Sequence, residues 1–131
     1  MPDRVEDLLR GDRLFHLFKM EFVDAQPGQA RVRAAAREEY LNAHGIAHGG
    51  LIFALLDVAF AIAVNTTVEA VGIQWSFSVF RSVAAGEVLL AEARVIHGGK
   101  RSLVVELKAE KEKDGKLVAQ GTATAIPLPR K

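Results

Sequence analysis

Gly49-Gly50-Leu51-Ile52-Phe53-Ala54-Leu55-Leu56-Asp57-Val58-Ala59-Phe60-Ala61-Ile62-Ala63-Val64 is apolar at every position except Asp57. A helix over this run has no polar stripe and must be covered on every side. The run falls short of the roughly 20 residues that span a bilayer, and a carboxylate sits in its middle. A buried helix is therefore expected. Burying an ionised carboxylate is costly unless it is hydrogen-bonded or solvated. Asp57 should then face a cleft or an interface, the alternative being a structural cap on a neighbouring strand.

Beyond the helix the apolar period changes to two. Ile73, Trp75, Phe77 and Val79 fall on one face, with Gln74, Ser76 and Ser78 on the other. Ala91, Ala93 and Val95 form a second run, Leu103, Val105, Leu107 and Ala109 a third, and residues 116–126 a fourth. Gly98-Gly99 and Asp114-Gly115 sit at hairpin-turn positions, so these neighbours should run antiparallel. Before the helix, residues 3–10 read as a short helix, and residues 14–24 and 28–37 as two strands about Pro27-Gly28. Residues 38–47 read as irregular. The expected class is α+β: one long buried helix wrapped by an antiparallel sheet of about six strands, in a single domain over residues 1–131 with its core at 14–126. A sheet can curl over one side of the helix, and a second copy of the chain is the economical cover for the other.

The 131 residues suit one core, and half of them are apolar, which argues against disorder. Seventeen basic side chains nearly cancel sixteen acidic ones, so charge gives no argument for nucleic acid. With no cysteine, a disulfide framework, a thiolate nucleophile and a Cys-ligated zinc site are excluded. The first residues mix charges with apolar side chains and lack a signal-peptide core, so a cytoplasmic location is expected, with no membrane partner. His44 and His48 are four apart, but no Glu completes an HExxH pattern and no third ligand is evident, so no metal is expected.

The helix start can carry chemistry. Its first N–H groups lack intrahelical partners, and its dipole is positive there, which suits an oxyanion. Tight helix–sheet packing is the simpler account of Gly49 and Gly50 taken alone. His48 could be only a cap, and Asn42 either shapes its loop or orients a ligand.

Asn42-x-x-Gly45-x-x-His48-Gly49-Gly50 followed by Asp57 resembles the hotdog-fold thioesterase superfamily, closest to its phenylacetic-acid-degradation branch. Asp57-Val58-Ala59-Phe60-Ala61-Ile62-Ala63-Val64-Asn65, Phe80-Arg81 ahead of Gly86-Glu87, and Asp114-Gly115-Lys116-Leu117-Val118-Ala119 add to the likeness. The resemblance implies hydrolysis of acyl-CoA thioesters, of small aryl or arylacetyl acids in this branch, with no cofactor. It implies that Asp57 activates water or attacks the thioester, that Gly49 N–H polarises the carbonyl, that Asn42 orients the acid or the water, and that His48 supports them. Gly50, Trp75, Ser76, Gly99, Lys100 and Arg101 become candidates for substrate and CoA contacts. For Trp75 packing is an equal alternative, and for the 97–101 tip a plain hairpin turn is. Ser82 stands where the family often has Pro, and the family's Ser or Thr after the helix has no clear counterpart here. A hotdog hydratase or dehydratase and a non-catalytic acyl-CoA-binding module are the competing readings.

Gly49 and Asp57 are eight residues apart, about 12 Å along a straight helix axis. One chain cannot bring both to one carbonyl, since reacting groups lie roughly 3–3.5 Å apart. Sites shared between two chains of a homodimer are therefore expected; a further pairing of dimers into a homotetramer does not follow from this geometry and is an expectation that goes with the family resemblance.

Overall fold

The computed structural model describes residues 3–129. The chain forms α1 (Asp3–Gly11), α2 (Arg13–Leu17), β1 (Glu21–Gln26), β2 (Gln29–Ala35), a short 3₁₀ turn (Glu38–Tyr40), α3 (Gly49–Asn65), β3 (Ala70–Val79), β4 (Val88–Gly98), β5 (Leu103–Lys111) and β6 (Leu117–Pro127). The strands make one sheet in the order β1-β2-β4-β5-β6-β3, every pair antiparallel. Helix α3 touches all six strands, so the sheet curls around it as expected.

Size complementarity holds the helix in place. The inward sheet positions are largely small: Ala30 and Ala34 on β2, Ala91 and Ala93 on β4, Ala109 on β5, and Ala119, Ala123 and Ala125 on β6 are all buried. That shallow floor lets the helix approach closely, and Leu51, Leu55, Leu56, Phe60 and Ile62 fill the space with almost no exposure. Burying each such side chain contributes about 1.5–3 kcal/mol. The far end of α3 is tied down by Asn65, whose side chain accepts from Ala70 N (3.1 Å) and donates to Ala61 O (2.8 Å) and Ala70 O (3.2 Å).

Three expectations need correction. Residues 14–24 are not one strand, because Asp12 caps a helical turn by accepting from Phe15 N at 3.1 Å; β1 begins only at Glu21. Ile73 does not share a face with Trp75, because a bulge between Gly72 and Gln74 breaks the alternation and leaves Ile73 55% exposed. The bulge accompanies a tight fit: a Cβ on Gly72 would lie 2.4 Å from Trp75 Cζ2 and 2.5 Å from Phe60 Cε2. Finally, the cover over α3 comes partly from the chain's own start. Val5 is fully buried, and Leu8, Leu9, Phe15 and Phe18 pack against the core.

One stripe of α3 remains exposed, next to an exposed edge of the sheet. Gly49, Phe53, Asp57 and Ala61 recur every four residues and are exposed or half-buried, whereas every other residue of the helix after Gly50 is buried. Beside them runs β3, an edge strand, with Val71, Ile73 and Val79 exposed and Phe80 exposed just beyond its end.

Away from that face, Glu87 knots the return to β4. Its carboxylate lies 2.6 Å from Lys113 Nζ, accepts from Ala84 N at 2.8 Å, and accepts from Lys111 Nζ at 3.2 Å. Lys113 first, then the Ala84 N–H and Lys111, hold its pKa down to about 2. A carboxylate whose folded pKa is depressed stabilises the fold above its unfolded pKa, and loses that contribution as pH falls through the folded value. Glu87→Gln should therefore lower the melting temperature at neutral pH, with the gap from the parent closing as pH approaches about 2. Melts that stay equally far apart at both pH values would rule out this origin.

Candidate active site

The segment leading into α3 is built by its own motif residues. Asn42 Oδ1 accepts from His44 N at 2.9 Å and Ile46 N at 3.4 Å. Gly45 N donates to Asn42 O at 3.0 Å, and Gly45 adopts a φ of +77° that favours glycine. Asn42 is thus a loop-former in the protomer, its carbonyl oxygen used locally. The loop is anchored by His48 N to Tyr40 O (2.9 Å) and Ala47 N to Val83 O (2.8 Å).

His48 is the N-cap of α3, with Nδ1 accepting from Gly50 N at 2.8 Å. An accepting Nδ1 places the proton of the neutral ring on Nε2. Leu51 N and Ile52 N both donate to His48 O. Of the opening N–H groups, only that of Gly49 has no acceptor among the described residues. A Cβ on Gly49 would meet nothing within 4 Å, so packing inside the protomer does not require glycine there. The tight-packing explanation for this residue fails. An open, unpaired N–H at the positive end of a 17-residue helix is suited to a developing oxyanion.

Asp57 lies two turns further along the same stripe. It lines a cleft of about 300 Å³ with Leu8, Phe60, Ala61, Gly72 and Trp75. Burial raises its pKa above the ordinary carboxylate range; the Trp75 indole N–H opposes that rise and the charge of Asp12 adds to it. A half-buried carboxylate with a raised pKa is a fitting proton acceptor near neutral pH. Phe60 and Trp75 of that cleft belong to a cluster of aromatic rings: Trp75 meets Phe53 and Phe60 edge-on at 5.8 Å each, and Phe53 lies 5.7 Å from Phe77.

The other candidates divide. Gly50 and His48 line a second, separate hollow of about 370 Å³, walled by Leu14 of α2 and Phe18 just after it, with Tyr40 and Leu51. Ser76, neighbour of Trp75 on β3, is exposed and pairs with Thr122; it does not line the Asp57 cleft. Gly99, Lys100 and Arg101 are exposed at the β4–β5 turn, closed by Gly99 N to Ser102 O at 2.9 Å. Leu103 pairs with Ala125, near where Ala70 pairs with Pro127. That end of the sheet adjoins the C-terminus of α3, opposite Gly49. The single chain thus brings Trp75 to Asp57 and gathers Asn42, His48, Gly49 and Gly50, but does not unite the two groups. Sequence reasoning missed the walls from α1 and α2; the i, i+3, i+4 spacing of Val5, Leu8 and Leu9 and the capping Asp12 were the available signals. Among the described residues no cluster of His, Asp and Glu could hold a metal ion, and no helix is long and apolar enough to cross a membrane.

Residues 44–118 match the model of a family described as the thioesterase superfamily. The chain is 33% identical over 126 residues to a provisionally named esterase of Archaeoglobus fulgidus, covering 95% of this chain and 81% of that protein. It is 30% identical over 111 residues to human acyl-coenzyme A thioesterase 13, covering 82% and 79%. It is 33% identical over 90 residues to the acyl-coenzyme A thioesterase PaaI of Escherichia coli, covering 68% and 64%. The structure of the E. coli PaaI protein, from the phenylacetic acid degradation operon, aligns with a TM-score of 0.93 at 26% identity over 97% of this chain and 92% of that one.

Proposed function

The chain belongs to the thioesterase superfamily and has its hotdog fold, and from that premise we propose that it hydrolyses CoA thioesters of small aryl or arylacetyl acids at sites shared between two copies of the chain. Acyl-CoA hydrolysis follows from the relatives named for it. The observation that carries the rest is the uncovered stripe of α3, which presents an unpaired Gly49 N–H and the Asp57 carboxylate two turns apart. Two such helices laid antiparallel would set Asp57 of one chain against Gly49 of the other. The exposed β3 edge is the natural partner surface for that pairing. A further pairing into tetramers would use other surfaces, such as exposed Ile96 and Leu128. The aryl preference is supported by the rings of Phe60 and Trp75 in the Asp57 cleft, which Phe53 and Phe77 extend into an aromatic cluster.

In this mechanism Asp57 takes a proton from water as oxygen adds to the thioester carbonyl, or adds its own oxygen to give an anhydride that water then opens. The oxyanion sits on Gly49 N–H. The C–S bond breaks, and the CoA thiolate leaves and takes up a proton. His48 holds the helix start in register through its cap, and Asn42 fixes the loop before it. No metal or cofactor enters these steps, and the reading places the enzyme in the cytoplasm.

Thiol release from a panel of CoA esters tests the proposal. Phenylacetyl- and benzoyl-CoA should turn over faster than straight-chain esters of similar size, and the rate should fall on acidification through a single ionisation above the ordinary carboxylate range. Binding without thiol release from any ester would leave a non-catalytic module; hydration of an enoyl-CoA without thiol release would leave a hydratase.

A further inference from the structure

Among the described residues, two buried side-chain polar atoms have no hydrogen-bond partner: Glu87 Oε2 and Trp75 Nε1. The first lies 2.6 Å from Lys113 Nζ, so its charge is compensated. The indole N–H has no such compensation, and a buried donor left unpaired carries its full desolvation cost. The ring cannot readily turn away. It is held between Phe53 and Phe60, with centroids at 5.8 Å and interplanar angles of 64° and 74°. It also occupies the notch left by Gly72, which any side chain would fill. The bulge at Gly72–Gln74 sets the register that keeps Trp75 on the inward face. A bulge, a glycine and two aromatic walls thus hold one N–H beside the Asp57 carboxylate.

We propose that Trp75 is a positioning residue for Asp57, its indole N–H donating to the carboxylate in the reacting state and fixing which oxygen is turned toward the substrate. The proposal rests on the reading of Asp57 as the acting carboxylate. The Cβ–Cγ torsion of Asp57 is soft, so its carboxylate is free to turn toward the indole. The elements packed against Asp57 supply few alternatives. Near it α1 presents Leu8, β3 presents Trp75, and Asp12 at the break between α1 and α2 is the charged group that acts on it. Asp12 favours the protonated form, as burial does; the indole N–H favours the ionised one. Trp75 therefore sets both the orientation of the carboxylate and the acidity at which it becomes competent.

The chain has a single tryptophan, so biosynthetic replacement of tryptophan by β-(3-benzothienyl)alanine exchanges this N–H for sulfur in a ring of nearly the same shape and changes nothing else. In the replaced protein kcat should fall by about tenfold with KM within about twofold, and the acid limb of the rate should move up by about one pH unit. Trp75→Phe should behave alike. In the parent, tryptophan fluorescence should titrate at the midpoint of the rate, and this step should vanish in Asp57→Asn. An unchanged kcat and acid limb in the benzothienyl protein, with Asp57→Asn inactive, overturns the role of Trp75 alone. A fluorescence titration that persists in Asp57→Asn also overturns it. Full activity of Asp57→Asn overturns the reading of Asp57 on which it stands.

Discussion

Asp57→Asn is expected to lower thiol release by about 100-fold or more, the usual share of a positioned base, while the protein folds and binds CoA esters as the parent does. The carboxamide keeps the shape of the side chain but can neither take a proton from water nor attack a thioester. Stability gives an independent check on the same substitution. Burial raises the pKa of Asp57 in the folded chain. A carboxyl raised in this way contributes its full stability below its unfolded pKa and loses it as pH rises through the folded value. The Asn variant, which never pays that charge penalty, should melt no lower than the parent at neutral pH, and any advantage should disappear in acid. Thiol release, ester binding and melting curves on one preparation measure all three quantities. Activity within a few-fold of the parent would remove Asp57 from the mechanism.

The second large effect is a gain. Gly49→Pro should be nearly inactive, and so should Asp57→Asn, yet the two refolded together in equal amounts should recover roughly a quarter of parental activity, since random pairing makes half the dimers mixed and each mixed dimer has one intact site of two. Proline suits the first position of a helix and removes only the N–H in question. His48, preceding it, already has the extended conformation proline demands of its neighbour, with φ −63° and ψ 141°, and a Cβ at position 49 meets nothing within 4 Å. In the mixed dimer one site carries both lesions, and the other pairs Asp57 of the proline chain with Gly49 of the Asn chain. Differential tags would isolate the mixed species. If mixed dimers form and stay inactive, each site lies within one chain.

Most of this architecture is legible because its signals are local and periodic. The long apolar run could only be a covered helix, and the two-residue alternation of β4 and β5 named their inward residues correctly. The failures came where a tertiary contact overrides a local pattern. Residues 14–24 offer apolar side chains to either period, and the hydrogen bond from Phe15 N to Asp12 decides for a helical turn. Ile73 follows the alternation of Trp75 and Phe77 in the sequence; only the fit of the indole against Gly72 and Phe60 shows that it is turned out. At the site, residue types pointed to Asp57 and the Gly49 helix start. They did not show that Asn42 spends its side-chain oxygen on its own loop, or that among the described residues the Gly49 N–H alone of the helix start has no acceptor, because both depend on which nearby donors and acceptors are already taken.

The bulge in β3 has a consequence for the newly made chain. A single chain exposes an edge strand carrying Val71, Ile73 and Val79, with Phe80 just beyond it, the kind of open template on which unrelated strands can zip and aggregate. A regular strand laid along this edge would lose register at the kink between Gly72 and Gln74, because a bulge bends the strand and increases its twist. A strand carrying the same kink, such as β3 of another copy, faces no such mismatch. In the shared-site arrangement proposed above, the irregularity that holds the indole in place would therefore also discriminate against unrelated strands at this edge.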